Sequence, residues 1–379
     1  EVANQEYNRS SDFFEENIRD FEYEAIVALA MEAIEYEDIV SGQGQLNKNI
    51  YEKQNNKRGI YFRPGDILFG KLRPYLQNWL APNFTGIAVG DWWVLRPNDA
   101  NSEFIYALIQ SLKYQEVSNL TTGTKMPRSD WNIVSKTPFI LPSEMAEQAK
   151  IGATFCDLDR LITLHQREHD KTVNIKKALL EKMLPKDGED KPEIRFAGFT
   201  GAWEQREFAE LVSRVSTMSD RKYDMPRVEY EDIISGQGQL NKNIYEKQSN
   251  KRGIHFEPGD ILFGKLRPYL QNWLAPDFTG IAVGDWWVLK PQGVNTEFIC
   301  ALLQSPQYQR VSNLSTGTKM PRSDWSVVAR TTFAVPSQIC EQAQIGKTFT
   351  NIDRLIALHQ RELTKLQNIK KALLEKMFV

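Results

Sequence analysis

Residues 36–184 align with residues 230–378 at a constant offset of 194, without insertion or deletion, and 112 of the 149 positions are identical. YEDIVSGQGQLNKNIYEKQ returns as YEDIISGQGQLNKNIYEKQ, while GDILFGKLRPYLQNWLAP, GIAVGDWWVL, TGTKMPRSDW and NIKKALLEKM return unchanged. A unit of about 150 residues is too long for a solenoid repeat and has the size of a domain. Whatever the chain folds into, it does so twice. Two like units in one chain form a pseudo-dimer, and a pseudo-two-fold axis is expected because twofold pairing is the commonest arrangement.

Each copy changes character partway along. Up to Pro142 or Pro336 it reads as mixed α/β: GIYF, DILF, GIAV and WWVL are short apolar runs punctuated by Gly and Pro, as strands are. Residues 103–117 carry Phe104, Leu108 and Leu112 at helical spacing, and residues 137–141 read as a last strand. Ser143 is then a candidate N-cap, with Glu144 and Glu147 at the positive end of a helix. No proline follows until after Met183. The apolar residues Phe155, Leu158, Ile162, Ile175 and Leu179 in one arm are predicted to pair helices. So are Phe349, Ile352, Ile356, Leu363, Leu366, Ile369 and Leu373 in the other. Some 35 helical residues span roughly 50 Å. Pro185 and Gly188 prevent the two arms from forming one rod, so antiparallel pairing is the natural way to bury both seams.

The predicted fold class is therefore α+β: two repeated α/β heads separated by two long helices packed as an antiparallel coiled coil. The layout is a first head at 1–142 (with 1–35 atypical), a central arm at 143–184 and a linker at 185–204. A second head at 205–336 and a distal arm at 337–379 complete it.

Composition sets limits without choosing a function. Of 379 residues, 41% are hydrophobic and 25% charged, as in ordinary globular proteins. No apolar run reaches the roughly 20 residues of a membrane span, and no export signal is expected from the first residues. Cys156, Cys300 and Cys340 face Thr350, Tyr106 and Ala146 in the other copy, so no cysteine is repeated. A disulfide framework or metal site is not expected, and a reducing cytoplasm fits. The net charge of −2 is uneven: residues 1–35 hold ten acidic and two basic side chains, leaving +6 (−2 minus −8) on the rest. Local patches decide nucleic-acid binding more than totals do.

Among motifs, GDILFGKL has the spacing of a phosphate-binding P-loop, but Leu72 stands where the metal-holding Ser or Thr belongs, and Arg73-Pro74 follows. It is a decoy. The amide-rich loop SGQGQLNKN offers Gln43, Gln45, Asn47 and Lys48, with Gln237, Gln239, Asn241 and Lys242 in the second copy. Amides pair bidentately with adenine and lysine meets phosphate; an ordinary solvated loop is the competing reading. Lys71 and Arg73 (Lys265 and Arg267), followed by Tyr75 and Trp79, either line a basic aromatic face or leave the aromatics to the core. TTGTKMPRSDW sets Thr122, Thr124, Lys125 and Arg128 before a short helix, and Thr316, Thr318, Lys319 and Arg322 repeat them. That suits contact with phosphate or guanine, although a structural turn with Trp131 in the core is equally compatible. His165 and His359 sit within the arm seams and read as packed residues. No Ser/His/Asp set, carboxylate pair, Cys/His spacing or amino-methylation motif is duplicated. The chain reads as a binder without chemistry of its own.

Two heads alternating with two like helical arms resemble the specificity subunits of Type I restriction-modification systems. The motifs that carry the resemblance are GDIL at 65–68, TGT at 122–124, MPR at 126–128, Trp131, the stretch 352–378 and RFAGFTGAWEQREFAEL at 195–211. It covers 36–379; residues 1–35 lack a counterpart of 195–211. The resemblance implies double-stranded DNA as ligand and two modification subunits bound through the helices. Those would bring S-adenosylmethionine and methylate adenine, and restriction/translocase subunits using ATP and Mg²⁺ can join. None of these cofactors belongs to this chain, and no membrane is involved. Near-identical heads are expected to read near-identical inverted half-sites about one helical turn apart, with a spacer of roughly 5–8 base pairs. A stand-alone palindrome-binding regulator or adaptor is the alternative.

Overall fold

The computed structural model describes residues 18–20, 25–26, 32–50, 57–120, 125–219, 225–246, 251–314 and 319–378. The chain divides into two compact units: residues 1–165 with 362–379, and residues 166–361. The division falls inside the two arms rather than at their ends.

In the first unit, one antiparallel sheet runs in the order Ile18–Asp20, Trp92–Pro97, Ile67–Gly70, Trp79–Leu80. A second runs Ala25–Ile26, Gly59–Phe62, Gly86–Ala88, Glu32–Ile34, its last pair parallel. The two central strands of the first sheet explain their unbroken apolar sequence. Ile67, Phe69, Trp93 and Leu95 turn to one face, against the helices and the arms. Leu68, Trp92 and Val94 turn to the other, against Phe62 and Ile34 of the second sheet. Side chains alternate along a strand, so burial on both faces requires a continuous apolar run. The second unit repeats this with Ile261, Phe263, Trp287 and Leu289 on one face. Leu262, Trp286 and Val288 occupy the other.

Three expectations need correction. The helix predicted over 103–117 is two, Ser102–Leu108 and Leu112–Ser118, because the Ser111 side chain accepts the Tyr114 N–H and restarts the helix. The second copy carries the visible sign of this break, Pro306 at the first turn of Pro306–Ser312. The strand expected at 137–141 is not formed. Its copy, Thr332–Val335, is a strand because Glu204–Glu207 pairs with it; the residues one repeat earlier, 10–13, lie outside the described residues. The arms start later than Ser143 and Ser337, as Met145–Lys182 and Ile339–Met377.

Each unit contains antiparallel arm packing. In the first, Phe155 meets Phe378 at 5.7 Å and Asp159 pairs with Lys370, so rising numbers on one arm meet falling numbers on the other. In the second, Lys176 pairs with Asp353 at 2.5 Å, and Leu180 and Met183 share a core with Ile345 and Phe349. Of the predicted pairing residues, Phe155, Ile162, Phe349, Ile356 and Leu363 are buried, and Leu158, Leu179, Ile352, Leu366 and Leu373 are partly so. Ile175 and Ile369 are the exposed members of the set, at 44% and 40%. The next residues, Lys176 and Lys370, turn to the carboxylates Asp353 and Asp159. Among the described residues no helix is long and apolar enough to cross a membrane.

Candidate nucleic-acid interface

The strand Ile67–Gly70 delivers the chain to Lys71, and a short, strained turn follows. Arg73 (φ 50°, ψ 61°) and Gln77 (φ 57°, ψ 45°) are both left-handed and bracket the 3-10 turn Pro74–Leu76. Arg267 and Gln271 do the same around Pro268–Leu270. Among the described residues, these four alone combine a side chain with positive φ. That conformation costs a non-glycine residue about 1–2 kcal/mol and persists only where neighbours over-determine it. Here they do. The Arg73 N–H donates to the Pro127 carbonyl at 2.7 Å, the Gln77 N–H to the Pro74 carbonyl at 2.9 Å, and the Gly42 N–H to the Gln77 carbonyl at 2.9 Å. The turn pushes Tyr75 out, 54% exposed, whereas Trp79 is buried in the core. The two readings of this aromatic pair thus divide between its members.

A second loop is tied to the first. Leu72 and Arg128 form an antiparallel bridge, and the Ser129 N–H donates to the Lys71 carbonyl at 2.8 Å. The Asp130 side chain caps the short helix Trp131–Val134 that follows. Lys71, Arg73, Lys125 and Arg128 therefore lie on adjoining loops at the exit of one strand, the last three exposed. The second unit repeats this arrangement with Lys265, Arg267, Lys319 and Arg322. There the Arg267 N–H donates to the Pro321 carbonyl at 2.7 Å and the Ser323 N–H to the Lys265 carbonyl at 2.8 Å. Thr122, Thr124, Thr316 and Thr318 lie outside the described residues.

Sequence reasoning missed the residues that hold these loops. The Tyr36 hydroxyl donates to the Asp91 carbonyl and accepts the Leu72 N–H at 3.1 Å, while the Lys71 N–H reaches the same Asp91 carbonyl at 2.9 Å. Burial pushes the Tyr36 phenol well above its ordinary range, so it keeps the proton it donates. The Asp91 carboxylate accepts from Arg128 at 3.1 Å, and Asp285 from Arg322 at 3.0 Å. The only signal for Asp91 was that GDWW recurs intact.

The amide-rich loop is placed differently from the basic one. Gln45 donates to the Thr163 hydroxyl of the central arm. Asn47 donates to the Glu37 carbonyl at 2.7 Å, and Lys48 pairs with the fully buried Asp38 at 2.7 Å. In the second unit Asn241 reaches the Glu231 carbonyl at 2.7 Å and Lys242 pairs with Asp232 at 2.8 Å. Gln43 lines a 310 Å³ cavity with Gln110, Asp159 and Lys370, and Gln237 lines one of 220 Å³ with Lys176 and Asp353. Gly44 (φ +63°) shows why the loop needs glycine: an added Cβ would sit 1.8 Å from the Tyr106 hydroxyl. This loop joins the head to its arms. The GDILFGKL run is a strand followed by a 3-10 turn, so no helix N-terminus stands where a phosphate would bind.

Residues 32–173 match the model of the Type I restriction modification DNA specificity domain. The matched stretch falls on the first copy of the repeat and extends into its arm. Its fold is similar to the Type I restriction-modification S subunit from M. genitalium, at 15% identity over 96% of this chain and 93% of that one, with a TM-score of 0.57. The HsdS subunit from Thermoanaerobacter tengcongensis aligns at 19% identity over 97% and 92% of the chains, with a TM-score of 0.42. At such identities the first likeness speaks for the fold alone.

Proposed function

We propose that each head reads one half of a bipartite, near-palindromic DNA target, and that the chain thereby positions adenine methyltransferase subunits on it. The observation that carries this reading is the duplicated basic junction. Lys71, Arg73, Lys125 and Arg128 recur as Lys265, Arg267, Lys319 and Arg322, on the same strained and pinned backbone. Lysine and arginine on such a face neutralise phosphates, and arginine reads guanine in the major groove. The exposed Tyr75 and Tyr269 sit on the projecting turns between the cations, as wedging or stacking side chains do. Thr122, Thr124, Thr316 and Thr318 belong to the same proposed face by sequence. Of the amide loop, Gln43 and Gln237 stay candidates for DNA contact. Gln45 is assigned to holding head on arm, Asn47, Asn241, Lys48 and Lys242 to bracing the loop on their own head, and Gln239 stays a candidate for DNA contact.

The modification subunits would dock on the arms. Leu161 and Leu164 are 42% and 52% exposed in the first unit, and their copies Leu355 and Leu358 are 48% and 51% exposed in the second. Each pair lies three residues apart on one helical face, so each unit offers one like patch. S-adenosylmethionine would come with the modification subunit and ATP with a restriction subunit, leaving this chain as the reader. Methylome sequencing of cells expressing the chain with and without a Type I modification subunit tests the reading. New N6-methyladenine in a gapped palindrome, only with both present, is the expected result. No new methylation beside an active partner favours a stand-alone regulator.

A further inference from the structure

We propose that Asp91 and Asp285 are positioning residues that orient Arg128 and Arg322 for base readout, one in each half of the target. The inference rests on the DNA-reading role proposed above and adds the residue that makes the arginine selective.

An acid is a poor choice for a surface that meets a polyanion, since it opposes phosphate binding at every sequence alike. Yet both copies place one at the centre of the basic junction, and both pin it. Gly90, at φ +108°, makes the turn that brings Asp91 round. The Asp91 carbonyl accepts from the Lys71 N–H and the Tyr36 hydroxyl. Arg128 is fixed at its own backbone by the bridge to Leu72. With both backbones held, the carboxylate takes two donors of the guanidinium, Nε at 3.4 Å and Nη2 at 3.1 Å. Two contacts set the plane of a fork where one would only tether it. In the second unit Asp285 lies 3.0 Å from Arg322 and 3.6 Å from Lys265. These carboxylates are about a third exposed, so the pair stands at the surface rather than in the core. An arginine whose plane is set before binding has less freedom to lose and meets guanine O6 and N7 in one geometry.

The sign of the mutational effect separates this role from its rivals. The full chain is incubated with a library of randomised duplexes, the bound fraction is sequenced, and selected duplexes are titrated against salt. For Asp91→Asn, the expected result is a roughly tenfold loss of discrimination at one position of one half-site. The other half, read by the head holding Asp285, serves as the unchanged control, and Asp285→Asn gives the mirror result. Asp91→Glu, which keeps the carboxylate, should retain more discrimination. In an Arg128→Ala background, Asp91→Asn should add nothing. Uniformly tighter binding with a steeper salt dependence would make Asp91 a mere neutraliser and overturn the proposal. An effect that persists without Arg128 would do the same, because Asp91 would then touch a base directly. A wild-type chain that enriches no sequence overturns the DNA-reading role itself, a result visible before any variant is compared.

Discussion

The two heads are nearly one sequence, yet among the described residues the joint between head and arm differs between them. In the second unit Thr332–Val335 is zipped to Glu204–Glu207, Ala334 is 8% exposed, and Glu341 at the start of the arm is 1% exposed. Arg195 makes that burial tolerable by taking both Glu341 oxygens, at 2.6 and 2.8 Å. In the first unit the copies of these residues, Ile140 and Glu147, are exposed, Ile140 by 71%. The same glutamate in the same repeat, Glu341 or Glu147, therefore carries no burial of its own. Burial comes from the segment 195–211, whose Trp203, Phe208 and Leu211 enter the core of the second unit. The comparison predicts its own largest effect. Arg195→Met strands a buried carboxylate and should cost about 3–5 kcal/mol, read by denaturant unfolding. Glu147→Gln, at the copy of Glu341, should stay within about 0.5 kcal/mol. Equal effects at the two positions would erase the difference between the joints.

Where the joints differ, the seams match. Lys370 bridges Asp159 of the central arm and Gln110 of the head, the latter at 2.6 Å. In the second unit Lys176 bonds Asp353, which also takes a hydrogen bond from Gln304. Each node ties one head to both arms with side chains that are mostly buried. Lys370→Met or Lys176→Met should therefore cost about 3 kcal/mol alike, and Lys370→Met with Asp159→Asn should recover most of it. Unequal costs would show that the two seams are not equivalent. Burial raises the Asp159 and Asp353 carboxyls above the ordinary range despite their lysines. A proton thus favours the folded form. Their contribution is fully present below the unfolded carboxylate value, about 3.9, and is lost as pH rises through the raised folded values. Asp159→Asn with Asp353→Asn should flatten that part of the stability profile.

The repeat made the heads, the arms and the antiparallel pairing legible before any coordinates, because periodicity and identical strings report on local structure and symmetry together. What it could not report was side-chain direction. Ile175 and Ile369 had the spacing of seam residues, but a lysine one position on had a buried carboxylate to reach. Gln45 read as a recognition residue, since an amide that bonds a neighbouring arm and one that bonds a base have the same one-letter code, while Asn47 and Lys48 bond their own head. Asp91 was hidden because its partner lies 37 residues away, in a loop that only the fold brings beside it. The break at Ser111 was legible in the second copy, where Pro306 stands, and not in the first.

A smaller effect is expected on the projecting turns. Tyr75→Ala and Tyr269→Ala remove side chains that are 54% and 57% exposed, so melting temperature should not move. Each should weaken binding of selected duplexes roughly tenfold, as loss of one stacked aromatic does. Equal losses would sharpen the likeness of the two heads. A loss from one alone would break it.

The smallest effect is the most exacting test of that likeness. The heads differ at Arg63 and Glu257, a full reversal of charge on an exposed residue. Both positions nevertheless keep the same backbone contact, an N–H donated to Asp66 or Asp260 at 2.9 Å. The neighbouring strand has changed with them: Arg96 takes Asp66 at 2.6 Å, whereas Lys290 stands 4.0 Å from Glu257. All of this lies at the entry of the strand whose exit carries Lys71 and Arg73. Four residues of strand separate the two ends by roughly 13 Å at about 3.3 Å each. That exceeds the Debye length of about 8 Å at physiological salt, so the reversal is screened from the basic junction. Arg63→Glu should then leave the methylated half-site unchanged in sequence, with stability within about 0.5 kcal/mol. A changed base in that half-site would place Arg63 on the DNA, and the two heads would read unlike halves.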